Sequence, residues 1–299
     1  MTDYGQTLKP EKAGGAEFKS VADALKFLYK LSLEDSSFRF RGQANSTWPL
    51  QPSIYRFSGF QRYQTVNYES HLLAAKPPAP LPPLTHTEYQ LEWLMLCQHY
   101  GVPTRLFDWT TDILIALYFA CDDSSQLAAD GTVFLCNQNE YPKFAAYNER
   151  AMETQDLAFV STTVVNPRMR TQSGCFMMWG HAPLGDVSKE SYDLWQYHEA
   201  YGESKYLQKV RVPSTAKRQI LKELKSIYSI TSDTIFLRDS YLEKTFGPRF
   251  GTLKEEARLK TLYLTDADRL SVAEARQARS FFRIECRNMI GKCENLREC

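Results

Sequence analysis

The run ILIALYFAC, residues 113–121, is unbroken apolar sequence, bracketed by Thr110-Thr111-Asp112 before it and Asp122-Asp123 after it. A helix of this length falls far short of the roughly 20 residues a bilayer span requires. A helix that is apolar nearly all round is stable in water only when other elements enclose it, so the run predicts a core helix from about Thr111 to Cys121. Thr110 or Thr111 is placed to cap it, and Asp112 suits the positive end of its dipole. The segment just before it is the reverse in character. In QHYGVPTRLFDW, residues 98–109, Gln98, His99, Tyr100, Thr104, Arg105, Asp108 and Trp109 crowd between two apolar stretches.

The chain has the material to wrap such a helix: 299 residues, 43% hydrophobic and 24% charged. Elements of both kinds are legible. VADALKFLYKL after Ser20 spaces Val21, Leu25, Leu28 and Leu31 as a helix does, and FRFRGQ alternates Phe38 and Phe40 against Arg39 and Arg41 as a strand ending at Gly42. Glu88 to Tyr100 reads as a helix stopped by Gly101, with Pro103 beyond. TVFLC, DLAFVSTTVV, GCFMMWG and YLQKVRVP read as strands, and Thr215 to Leu224 as a helix. Strands and helices do not alternate regularly, which predicts an α+β fold with a mixed or antiparallel sheet and flanking helices. The expected division is a flexible N-terminus over 1–19, one α+β domain over 20–249 with its motifs in 37–140, and a helical C-terminal extension over 250–299. The proline-rich KPPAPLPPL, residues 76–84, reads as a stiff surface connector or a ligand for an aromatic groove.

Lys plus Arg number 36 against 35 Asp plus Glu, a net charge of +1, so bulk charge argues for neither a nucleic-acid coat nor a membrane surface. A local basic groove is still open. MTDYGQTLKPEKAGG has no basic stretch followed by an apolar one, so no secretory leader is expected. Seven scattered cysteines without a C-x-x-C pair suit free thiols in a reducing, cytoplasmic setting. Neither Cys286, Cys293 and Cys299 nor the five histidines (71, 86, 99, 181 and 198) show metal-ligand spacing, so no metal is expected.

Three polar clusters carry candidate chemistry. In FRGQ, Arg41 leaves a strand beside Gly42, where a rigid fork of donors suits an anion and glycine admits a ligand to the backbone. The plainer alternative is an arginine paired with a buried carboxylate. In QHYGVPTRLFDW the alternative to a functional loop is a tight corner between helices, with an Arg105–Asp108 ion pair, Trp109 as a lid on the core and His99 satisfied locally. In NPRMRTQS, Arg168, Arg170 and Gln172 alternate, so on an extended segment they form either a comb for anions or bases or a solvated edge. Walker A, G-x-G-x-x-G, H-E-x-x-H and G-x-S-x-G are all missing. Cys97 and His99 point apart on a helix, which argues against a thiol nucleophile.

In this order the clusters resemble the FRG domain family, named for its (F/Y)RG motif. The likeness runs through Phe40-Arg41-Gly42-Gln43, Pro52-Ser53, Arg56 and QHYGVPTRLFDWTTDILIALYFA, where Phe107 stands in place of the family's second Leu. NPRMRTQSGCF continues it, and KVRVPSTAKRQILKEL and TIFLRDSYLEK follow more loosely to about residue 245. The resemblance in turn implies a likeness to ADP-ribosyltransferases, whose first motif is an aromatic-Arg-Gly strand that grips NAD. Ser161-Thr162-Thr163 is similar to their Ser-Thr-Ser motif. Their late glutamate has no counterpart: Gln138-x-Glu140 comes too early, and Glu199 and Glu203 lie in no motif.

On this likeness NAD is the expected substrate. Arg41 and Arg105 would hold phosphates, His99 a ribose hydroxyl or the acceptor's proton, and either Asp108 or a Glu would be the carboxylate. Gly42, Gln43, Tyr100, Thr104, Trp109 and Ser161 would complete the NAD wall, with Tyr100 or Trp109 stacking, and Arg168, Arg170 and Gln172 would face the acceptor. The activity so implied is that of a toxin or antiviral defence effector modifying nucleic acid (RNA or DNA) or protein, with an antitoxin or regulator protein as a further partner. Two other classes stand beside it: a non-catalytic nucleic-acid or nucleotide-binding module, and an interaction domain whose polar corner merely holds the fold.

Overall fold

The computed structural model describes residues 16–32, 37–56, 62–77, 90–144, 157–161, 167–180, 193–200 and 207–262. Seven strands form one sheet: β1 (Phe38–Gln43), β2 (Leu106–Thr110), β3 (Gly131–Asn137), β4 (Lys143–Phe144), β5 (Ala158–Val160), β6 (Gly174–Met178) and β7 (Leu207–Val212). Their order is β4-β5-β6-β2-β1-β3-β7, and every pairing is antiparallel except β4 with β5. The helices are α1 (Val21–Ser32), α2 (Arg62–Ala74), α3 (Gln90–His99), α4 (Ile113–Cys121), α5 (Pro167–Thr171), α6 (Leu194–Ala200), α7 (Ser214–Tyr228), α8 (Ser232–Ile235) and α9 (Ser240–Leu262). The fold is therefore α+β on a mixed, mostly antiparallel sheet, as the sequence predicts.

Residues on opposite sides of β3 and β7 feed two different apolar clusters. Val133, Leu135, Val210 and Val212 pack with Phe40 against α1, α4 and α7, while Phe134, Cys136 and Leu207 join α3, α9, β5 and β6. Helix α4 lies close beneath β1 and β3. A Cβ on Gly42 would come 1.8 Å from the Ala116 carbonyl oxygen, and one on Gly131 would come 2.3 Å from that of Ala120. Both obstacles are backbone, so only glycine lets the helix dock at this distance. The first turn of α4 is capped by Asp112, whose carboxylate accepts from the Leu114 N–H at 2.8 Å; Thr110 and Thr111, the expected caps, instead bond towards Gln172 and Ser173. Each fully buried Leu or Ile on such a helix contributes about 1.5–3 kcal/mol.

Three segments depart from the sequence expectation. LFDWT is not a connector between helices but β2, paired along its whole length with β6. PRMRT is not extended but the short helix α5, begun by Pro167 at a first helical position and followed by Ser173 at φ 46°. The C-terminal helix does not start at a domain boundary: α9 runs unbroken through position 250 and buries Phe246, Phe250, Leu253 and Ala257 in the common core. At the other end Glu17 bridges to Arg211 and Phe18 is buried, so ordered packing begins before position 20. Most of the proline-rich segment, and Cys286, Cys293 and Cys299, lie outside the described residues. Among the described residues no helix is long and apolar enough to cross a membrane.

One seam of the sheet is incomplete. β1 and β2 meet at a single register position, Phe40 opposite Thr110. Beyond it the strands diverge, and Arg41 fills the gap by donating from Nη1 to the Asp108 carbonyl at 2.5 Å.

Candidate functional site

The guanidinium of Arg41 lies 3.9 Å from the centre of the Phe107 ring, and its Nη1 is 3.8 Å from the Asp108 carboxylate. Burial pulls its pKa down to about 10 against the opposing pull of Asp108, so it stays cationic at neutral pH. Asp108 takes its second contact from α3, where Gln98 Nε2 donates to its Oδ2 at 2.8 Å. The Gln98 amide cannot turn round without loss, because its oxygen accepts from the Thr104 hydroxyl at 2.8 Å and from the Ser53 hydroxyl at 3.3 Å. A relay of neutral groups thus aims one carboxylate, whose side chain is 48% exposed, at the open side of the seam.

Next to Gln98 stands His99. Burial, and to a lesser degree the charge of Arg168, hold its pKa near 3, so the ring is neutral across the physiological range. Its Nε2 is buried without a hydrogen-bond partner among the described residues. Arg168 reaches from α5 over the Phe236 ring at 4.7 Å and donates to the His99 carbonyl at 3.4 Å, while its Nε has no partner among the described residues. Together with Gln172, Phe119 and Phe176 these groups line a hollow of about 220 Å³ at the seam, in which Asp108 is the one carboxylate among the lining residues. A second hollow of about 240 Å³ adjoins it, walled by Tyr100, Leu237, Arg238 and Glu243 and sharing His99, Arg168 and Phe236 with the first.

Of the residues singled out in the sequence, Arg41, Gly42, His99, Asp108, Trp109, Arg168 and Gln172 line the first hollow and Tyr100 the second. Gly42 serves helix packing rather than ligand approach, since its Cβ position is taken by α4. Trp109 is 2% exposed and set edge-on to Phe107 and Phe159, so its ring offers no open face for stacking, although its Nε1–H is buried without a partner. One face of Tyr100 is covered by Phe250 at 4.7 Å.

Others lie elsewhere. Arg105 is fully buried and binds Glu69 of α2 through Nε at 2.6 Å and Nη2 at 2.8 Å, and the Trp179 carbonyl through Nη1, so it holds no phosphate and forms no pair with Asp108. Thr104 is buried and acts on the site only through Gln98, and Gln43 is buried with its amide on the Pro49 carbonyl. Ser161 is exposed at the end of β5, bonded to Phe144. Because α5 is helical, Arg170 is exposed and does not share a row with Arg168 and Gln172. Sequence reading gave no role to Gln98, Phe107, Phe119, Phe236, Arg238 or Glu243. Gln98 stood inside the polar cluster, and its neighbourhood was the available signal; for the last three there was none beyond a loose family likeness.

A seam with two part-buried cations, an oriented carboxylate and a neutral imidazole suits a ligand that is anionic in one part and develops positive charge in another. The comparisons with known proteins agree with the motifs that line it. Residues 36–129 match the family model of the FRG domain, and over that stretch the chain carries an FRG domain. The match takes in β1, α3, β2 and α4, hence Arg41, Gln98, His99 and Asp108; it ends before Arg168 and Phe236. No curated protein matches the chain, and no solved structure does.

Proposed function

We propose that this protein is an NAD-consuming enzyme of the ADP-ribosyltransferase kind, working at the seam between β1 and β2. The observation that carries the reading is Asp108: the one carboxylate among the described residues lining the first hollow, oriented by Gln98 and flanked by Arg41. When the bond between nicotinamide and ribose breaks, its electron pair leaves with nicotinamide and the ribose C1 becomes cationic. A fixed carboxylate facing that carbon is worth more in the transition state than in the ground state. The acceptor, water or a nucleophile on nucleic acid or protein, then bonds to C1 and gives its proton to Asp108. Arg41, bonded to the Asp108 carbonyl and 3.8 Å from its carboxylate, holds that residue in place. His99, with a pKa near 3, is a poor base at neutral pH; its bare Nε2 is suited instead to accept from a ribose hydroxyl.

The test is nicotinamide release from NAD by the purified full chain, alone and with cell lysate as a source of acceptors. Asp108→Asn is expected to lower the rate by about 100-fold or more while retaining the wild-type melting curve, and Arg41→Ala to lower it as far with some loss of stability. If the wild-type protein consumes no NAD under either condition, the reading is lost. Salt-dependent binding of single-stranded RNA or DNA without turnover would then favour a nucleic-acid module.

A further inference from the structure

The first hollow, at about 220 Å³, is smaller than the roughly 300–1,000 Å³ typical of pockets that enclose a whole small molecule, so a dinucleotide must extend beyond it. The second hollow opens off the same wall of His99, Arg168 and Phe236. Arg168 stands at that junction with unused capacity. Phe236 covers one face of its guanidinium, one long hydrogen bond goes to the His99 carbonyl, and Nε is buried without a partner among the described residues. No carboxylate among the described residues lies within ion-pair distance of it; Asp108 acts on its charge only from across the hollow. A partly desolvated guanidinium held this way is complementary to a phosphate oxygen pair, which it can take in a forked geometry.

Beyond the junction the second hollow changes character. Phe236 and Leu237 present apolar surface, Leu237 being 40% exposed. Tyr100, whose hydroxyl is pushed up to about 12 mainly by burial, stays protonated and able to donate. Glu243 offers acceptors, and Arg238 a second cation. This is a surface for a base and a ribose, whose two hydroxyls are donors to a carboxylate.

We infer that the ligand lies across both hollows, with a bridging pyrophosphate at Arg168, one nucleoside in the seam hollow, and the second nucleoside against Phe236, Leu237 and Glu243. The identity of the first half rests on the ADP-ribosyl reading above; the two-hollow span rests on the shared wall.

Equilibrium binding to the full chain tests it without any turnover, by calorimetry with ADP-ribose, which spans both hollows, and nicotinamide mononucleotide, which reaches Arg168 but not the second hollow. ADP-ribose is expected to bind about tenfold or more tightly than the mononucleotide. Arg168→Gln should weaken both ligands by about tenfold, the loss of a charge-assisted contact. Leu237→Glu, on an exposed position that leaves the core untouched, should weaken ADP-ribose alone. The inference is overturned if neither ligand binds, if ADP-ribose binds no better than the mononucleotide, if Arg168→Gln spares both, or if Leu237→Glu weakens both or neither. A protein that shows the expected pattern yet releases no nicotinamide would refute the enzymatic reading and leave this one standing.

Discussion

Arg105 and Arg41 show how a residue's duty depends on its partner. Arg105 is sealed from solvent with its guanidinium on Glu69 and the Trp179 carbonyl, whereas Arg41 has Asp108, which is 48% exposed, across an open seam. Arg105→Ala removes a fully buried guanidinium and its bonds to Glu69 and the Trp179 carbonyl, so it should cost about 3–5 kcal/mol in urea denaturation. Asp108→Asn exchanges an exposed carboxylate for its isostere and should change stability by less than about 1 kcal/mol. If Arg105→Ala unfolds at the wild-type urea concentration, the buried pair is not holding α2 to β2. His99 makes the second prediction. In the unfolded chain its ring takes a proton below about 6.5, but in the fold not until about 3. The unfolded state therefore binds more protons across that window, and stability must fall as the pH drops through it. His99→Gln should flatten the stability profile between these limits; an unchanged slope would show that the ring is solvated. Arg41 was legible because its motif is contiguous. Arg105 was misread because its partner stands 36 residues upstream, and no local pattern links them.

Among elements, those read correctly are the ones whose periodicity reflects one-sided burial. α1, β1, β7 and α7 each have a polar face that betrays the buried one. β2 has none: four of its five residues are buried, so LFDWT shows no alternation and reads as a link between helices. α9 fails for a different reason. Gly247, Pro248 and Gly251 are poor helix formers, and FGPRFG looks like a turn. The helix forms because Phe246 and Phe250, four residues apart, pack on Trp93, with Phe250 also stacked on Tyr100. A chain ending at 249 loses Phe250, Leu253 and Ala257 from the core. It should be less stable than one ending at 262 by about 3 kcal/mol or more. Equal melting temperatures for the two would restore the boundary at 250.

For the whole molecule the question is whether the seam divides it. The buried tryptophans Trp93, Trp109 and Trp179 all belong to one apolar cluster, and the other, around α4, has none among its buried members. Tryptophan fluorescence therefore reports one cluster, and circular dichroism both. Because β3 gives Val133 and Leu135 to one cluster and Phe134 and Cys136 to the other, the two signals should change together on heating or in urea. Two separated transitions would show that the single β1–β2 register position is a point of division.

What the sequence by itself determined is local: the core helix at 113–121, the α+β class, the ordered motifs of the FRG domain and the place of Arg41 in them. These follow from periodicity and contiguous chemistry, which short-range physics writes directly into the residue order. Only the tertiary structure decided that Gln98 aims Asp108, that Arg105 is withdrawn to Glu69, and that α5 and α8 bring Arg168 and Phe236 to the seam. Those arrangements join segments tens of residues apart, and whether an arginine is buried or open is set by whichever partner the packed chain delivers.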